Sequence, residues 1–173
     1  VISQALCATC HDKLLLHGGI RQNVEYCVVC HNPTVTDSGV RKVGEVPESI
    51  NFKTLIHKIH TGANLTTDFT VIGHGGSVNN YNDIGYVGDT RNCQSCHLPG
   101  TNDLPLPDGL IMQTTPRDYL TTQGPATAAC LSCHTTKAAA SHAATMTSAT
   151  LGEACDACHG PNAGASVDKA HAR

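Results

Sequence analysis

Ten cysteines occur in this 173-residue chain, and all ten fall into five runs of one form, Cys-x-x-Cys followed at once by histidine. The runs are Cys7, Cys10 and His11 (CATCH); Cys27, Cys30 and His31 (CVVCH); Cys93, Cys96 and His97 (CQSCH); Cys130, Cys133 and His134 (CLSCH); and Cys155, Cys158 and His159 (CDACH). This is the attachment pattern of a c-type haem. On one helical turn, cysteines at i and i+3 can reach the two vinyl groups as thioethers, while the histidine at i+4 reaches the iron from the same side. Structural zinc would instead combine Cys-x-x-Cys units two by two, which leaves one of five over and gives no work to the histidines. Disulfides or thioredoxin-like dithiols need no histidine and go naturally with a βαβ pattern that this sequence lacks.

Five haems with two axial ligands each need ten side chains. The motifs supply five, and His17, His57, His60, His74, His142 and His171 are six candidates for the other places. If His74 is the spare, every iron is bis-histidine and closed to substrate. Met112 and Met146 are not needed to complete the set and read as packing residues. His57 and His60 lie in the clearest helix signal of the chain, Asn51 to Gly62, where Phe52, Leu55, Ile56 and Ile59 fall at i, i+3, i+4 and i+7 and Gly62 suits a left-handed cap. Two histidines three residues apart project from one side of a helix and cannot reach one iron from its two faces, so if both ligate they serve different haems.

The remaining elements must place the other ligands. Leu14 to Leu16 lead into His17 and a Gly18-Gly19 stop. Thr70 to Ile72 and Asp83 to Val87 suggest a small irregular hairpin, with His74 exposed at a glycine-rich tip. Between Pro99 and Pro125 five prolines predict an extended run, poor in hydrogen bonds, that wraps cofactors rather than packing on its own. Thr135 to Thr150 is alanine-rich and helix-prone around His142, and small side chains there let a macrocycle approach the backbone. His171 stands near the end of the chain, where histidines are often disordered, yet the ligand count argues for its use.

Composition bounds the class. The length suits one domain, residues 1–173, but aromatics are 3% with no tryptophan, so protein alone buries little large apolar surface. The expected fold is a multihaem cytochrome c: short α-helices and irregular loops wrapped around five covalently bound haems, with little β-structure, and an apo chain that does not fold. The formal charge is -3, and five ferric bis-histidine haems with ionised propionates would bring it to about -8, which disfavours a nucleic-acid partner. No apolar run reaches the length of a membrane span and nothing resembles a signal peptide, so the chain reads as a mature product or a piece of a longer exported protein.

The order CxxCH, LLLHGG, CVVCHNP, FKTLIHKIH, CQSCH, CLSCH, a histidine on an alanine-rich helix, CDACHGP and a terminal histidine resembles one pentahaem domain of the outer-surface decahaem cytochromes of metal-reducing bacteria, the OmcA/MtrC family. The paired-histidine helix and the CHNP segment are its most specific parts. The resemblance implies that His17, His57, His60, His142 and His171 are the distal ligands, and it offers no counterpart for His74. It also implies an extracellular or outer-membrane location, with the periplasm second. Partners would be other multihaem cytochromes or copies of the same chain, and metal oxides, flavins or electrodes as acceptors. Full members carry a second pentahaem domain and β-barrel domains that this chain lacks, so it is an isolated domain, a fragment or a single-domain relative. Electron transfer along five haems is the leading function and the chain is expected not to be an enzyme. The alternatives are a subunit of a polymeric extracellular filament, or nanowire, and a multihaem reductase with one open iron, although the lysine-bearing motif variants of such reductases are missing here.

Overall fold

The structure, a computed structural model, describes residues 2–172. Among these residues, seven short α-helices are connected by turns, single 3-10 turns and three two-stranded hairpins: α1 (Gln4–Cys7), α2 (Val24–Cys30), α3 (Phe52–Thr61), β1 (Thr70–Ile72), β2 (Val78–Asn80), β3 (Gln113–Thr114), β4 (Thr122–Gln123), α4 (Pro125–Leu131), α5 (Lys137–Thr145), β5 (Thr147–Ser148), β6 (Gly152–Glu153), α6 (Asp156–His159) and α7 (Val167–His171). Each hairpin is antiparallel and is a sheet by itself. The expectation of short helices and loops with little strand describes this architecture.

Helix α3 organises the rest. Asn51 caps it by accepting from the Thr54 amide at 3.2 Å. Its ten residues form three stripes. Phe52, Leu55, Ile56 and Ile59 remain only half-buried, whereas Thr54, Lys58 and Thr61 are buried to 5% exposure or less. Lys53, His57 and His60 make the third stripe, on the flank between them.

The protein core is therefore polar on the side where a conventional amphipathic helix would present leucines. Lys58 Nζ donates to Asp118 at 2.7 Å and lies 3.9 Å from Glu48, with its ammonium 5.2 Å from the centre of the buried Phe69 ring. Thr54 Oγ1 donates to Gln113 at 3.2 Å, and Gln123 Nε2 donates to both Asp118 and the Leu120 carbonyl at 3.0 Å. These bonds clamp the β3–β4 hairpin onto α3. They correct the expectation for the proline-rich run: between Gln113 and Gln123 it is hydrogen-bonded and packed, because buried amides and hydroxyls are matched to α3 side chains.

Two further expectations change in detail, and the turn at His17 takes a defined form. The second strand of the first hairpin is Val78–Asn80 and not Asp83 to Val87, since Gly75 and Gly76 adopt positive φ and Gly73 closes on Ser77 at 2.7 Å, reversing the chain early. His17, with φ 52, opens a left-handed turn through Gly18 and Gly19, closed by the Leu16–Arg21 bridge. Gly62 has φ 47 but ψ -117, away from the left-handed helical cap. A Cβ there would stand 2.1 Å from the Ile84 carbonyl oxygen, so close backbone approach explains the glycine.

A second buried polar centre holds β1 to the preceding loop. The Asp37 carboxylate accepts from Arg41 Nε at 2.7 and 2.8 Å, from the Glu48 amide at 2.7 Å and from the Ile72 amide at 2.9 Å. By contrast, large apolar side chains such as Ile20, Val29, Ile111 and Leu151 stay exposed. The accessible surface is 10397 Å², against about 8,100 Å² for a compact chain of this mass. Extended apolar surface of this kind suits planar apolar cofactors.

Candidate haem-ligand sites

All five motifs share one backbone hydrogen bond. The histidine amide donates to the carbonyl of the first cysteine four residues earlier, at 2.8 Å in the His31 motif and 2.9 Å in the other four. This bond closes one turn around each Cys-x-x-Cys-His run. No two of the ten cysteines are joined in a disulfide. Burial pushes Cys130 up to about 11, with Cys155 and Glu153 adding to it, and burial likewise raises Cys27, Cys93, Cys96, Cys133 and Cys155. Thiols of this kind are poor thiolate ligands, and among the described residues no group of three or more histidines, cysteines or carboxylates is arranged to hold a metal ion.

The histidines are arranged in twos. His17 faces His31 with ring centres 5.9 Å apart, His11 faces His60 at 6.0 Å, and His57–His97, His134–His171 and His142–His159 each stand at 6.1 Å. Each pair joins one motif histidine to one of the five outside candidates. The separation is too large for a stacked contact. It matches a shared metal: nitrogen–metal bonds of about 2.0 Å on opposite sides place imidazole centres about 6.2 Å apart. The residues present therefore fit five irons with two imidazoles each. His74, exposed at the tip of the β1–β2 hairpin, is in none of these pairs.

The ring orientations differ. The His57–His97 planes are 17° apart and the His17–His31 planes 30°, whereas His11–His60 and His142–His159 are near perpendicular at 81° and 86°; His134–His171 lies between, at 40°. Backbone carbonyls fix several rings. His31, His60, His159 and His171 donate Nδ1–H to Ile50, Ile56, Ala165 and Val167 at 2.7 to 2.9 Å, which leaves Nε2 to face the partner ring. Burial holds the His57 imidazole down at about 4, with its neighbours His97, Lys53 and His60 adding to this, so the ring is neutral at physiological pH.

The sites adjoin one another around α3. His57 and His60 carry it to the third and first motifs. At its start the Phe52 amide donates to the His31 carbonyl at 2.9 Å, and at its end Thr61 Oγ1 lies 3.1 Å from Cys133 Sγ. A cavity of about 310 Å³ runs between Cys93 and His171, linking the third site with the fourth. The sequence reading missed this polar anchoring because Lys58, Thr54 and Thr61 in a short helix look like a solvated face.

Covalent attachment motifs with axial histidine pairs define a multihaem c-type cytochrome. A family model for the outer-membrane cytochromes described as MtrC/MtrF-like, domains II/IV, matches residues 1–172, and the chain belongs to this family. Among solved structures the chain is similar to the outer-membrane decahaem cytochrome OmcA, with 29% identity and a TM-score of 0.60 over 99% of its length. It spans 24% of that cytochrome's chain. No curated protein matches it.

Proposed function

We propose that the chain is an electron-transfer domain holding five c-type haems, one on each cysteine pair, with axial ligands His17 and His31, His11 and His60, His57 and His97, His134 and His171, and His142 and His159. The observation that carries this reading is the pairing itself: five motif histidines, five partners, and ring separations of 5.9 to 6.1 Å throughout. Each bound haem supplies a one-electron iron couple.

The chain's own residues do the rest. They set spacing, hold the imidazole tautomers and keep both axial positions filled. With every motif histidine partnered, the geometry favours a carrier over a reductase with an open iron. Helix α3 adjoins the first and third sites, Cys96 lies near Cys7 and Cys10, Cys133 near Cys93, and Cys155 near Cys130. These contacts support a row running from the first site through the third and fourth to the fifth. The second site joins it through the segment carrying His17.

Family membership supports a place at the outer-membrane surface. There, other multihaem cytochromes or further copies would act as donors, and metal oxides, flavins or electrodes as acceptors. The test is a haem count per chain by mass spectrometry, with electron paramagnetic resonance (EPR) and near-infrared magnetic circular dichroism of the oxidised protein. Five low-spin bis-histidine irons are expected. A stoichiometric high-spin iron, or fewer than five haems, would overturn the assignment.

A further inference from the structure

Four ring pairs share a feature that the fifth lacks. In each of the four, one imidazole donates its Nδ1–H to a backbone carbonyl: His31 to Ile50, His60 to Ile56, His159 to Ala165 and His171 to Val167. In the His57–His97 pair both Nδ1 atoms are buried and neither has a hydrogen-bond partner. Donation from Nδ1 makes the ligating nitrogen more basic and so favours the more positive, ferric state of an iron bound to it. Without that bond, and away from water, the ferrous state gains.

Lys53 acts in the same direction. It precedes His57 by one turn on the same stripe of α3, and its ammonium is held in place by donating to the Pro125 carbonyl at 2.8 Å. Its charge is felt by both His57 and His97. A fixed cation beside a centre that changes by one charge stabilises the reduced form. Two groups of opposite sign need weighing. Glu153 faces Lys53, but its carboxylate oxygens already accept from the Ala126 and Thr127 amides at 2.9 and 2.7 Å. Asp103 and Asp168 lie on the Cys93 side, and Asp168 is exposed to solvent that screens it.

We infer that, of the five sites in the reading above, on which this inference rests, His57–His97 has the most positive reduction potential, and that Lys53 is the positioning residue that raises it. One electron entering the fully oxidised chain then settles on this iron, beside α3 and between the first and fourth sites, converting ferric to ferrous with no proton required.

The experiment is a stepwise dithionite titration of the haem-loaded chain under potentiometric control, followed by EPR. In the wild type the first low-spin component to disappear should be the one that is absent, and replaced by a high-spin signal, in His57→Ala. In Lys53→Met one component of five should move to lower potential, with the other four unmoved, and Lys53→Arg should restore it. A tenfold change in the oxidised-to-reduced ratio of that component at fixed potential corresponds to 59 mV for one electron. If the first component reduced survives in His57→Ala, or if Lys53→Met shifts all components or none, the inference falls while a five-haem, bis-histidine count still stands. Loss of that count in the wild type would instead remove the reading beneath it.

Discussion

Replacing His57 and His60 by alanine, singly and together, tests the organising role of α3. His57 belongs to a near-parallel ring pair at 17° and His60 to a near-perpendicular pair at 81°. Parallel axial imidazoles separate the energies of the iron d orbitals that they overlap and give a resolved rhombic EPR spectrum. Perpendicular ones leave those orbitals nearly degenerate and give a single steep feature at high g. His57→Ala should therefore remove one rhombic component and His60→Ala one high-g component. Each loss is one iron of five, and the double variant should lose two-fifths of the low-spin intensity and gain two high-spin irons. The helix itself survives, since alanine is a better helix former than histidine by up to about 0.7 kcal/mol per residue, and the Asn51 cap, the Lys58 ion pairs and the Thr61 contact are untouched. Spin quantitation on the oxidised protein, with circular dichroism to verify folding, is the assay. The reasoning fails if both single variants change the same component, or if the double variant alters only one iron.

Three other perturbations follow from the packing. Glu48 is 1% exposed and burial raises its carboxyl to about 7, with Asp118 adding to this and Lys58 opposing it. Because that value lies above the unfolded one, the folded chain keeps a proton the unfolded chain has lost, and stability falls by on the order of 3 kcal/mol as pH rises from about 4.5 to 7; Glu48→Gln should flatten this part of the guanidinium unfolding profile and exceed wild type above pH 7, and identical profiles would refute it. Gly62→Ala should destabilise the chain by at least about 2 kcal/mol, since its Cβ would meet the Ile84 carbonyl oxygen at 2.1 Å, and should broaden the His60 component; an unchanged unfolding midpoint would contradict this. The chain made without haem insertion should lack cooperative unfolding, because its buried apolar residues are few and mostly small; a compact, cooperatively melting apoprotein would show otherwise.

The sequence disclosed the chemistry more fully than the packing. Five CxxCH turns and the α3 signal were legible because each depends on short-range spacing, and so was α5 around His142 from its run of alanines. The hairpin at Thr70 was readable in its first strand only, as the position of the reversal depends on the backbone angles of Gly75 and Gly76. The polar core was hidden: Asp118 is 60 residues from Lys58 in sequence, and Lys58, Glu48 and Asp118 each alone have the look of a surface charge. The reason for Gly62 was equally hidden, since its neighbour Ile84 comes from a distant loop.

The five ring pairs also have a topological consequence. Each brings together two positions well separated along the chain, from His17 with His31 to His11 with His60. When a pair shares an iron, the segment between becomes a closed loop, and the protein behaves as a netted chain whose knots are coordination bonds. Closing a loop of about 15 residues removes roughly 3 kcal/mol of conformational freedom from the unfolded chain, and longer loops remove more. Unlike the disulfides of small secreted domains, knots of this kind would survive in a reducing environment. A chain with a polar core and little buried hydrocarbon can thus stay ordered through the same bonds that complete its redox centres.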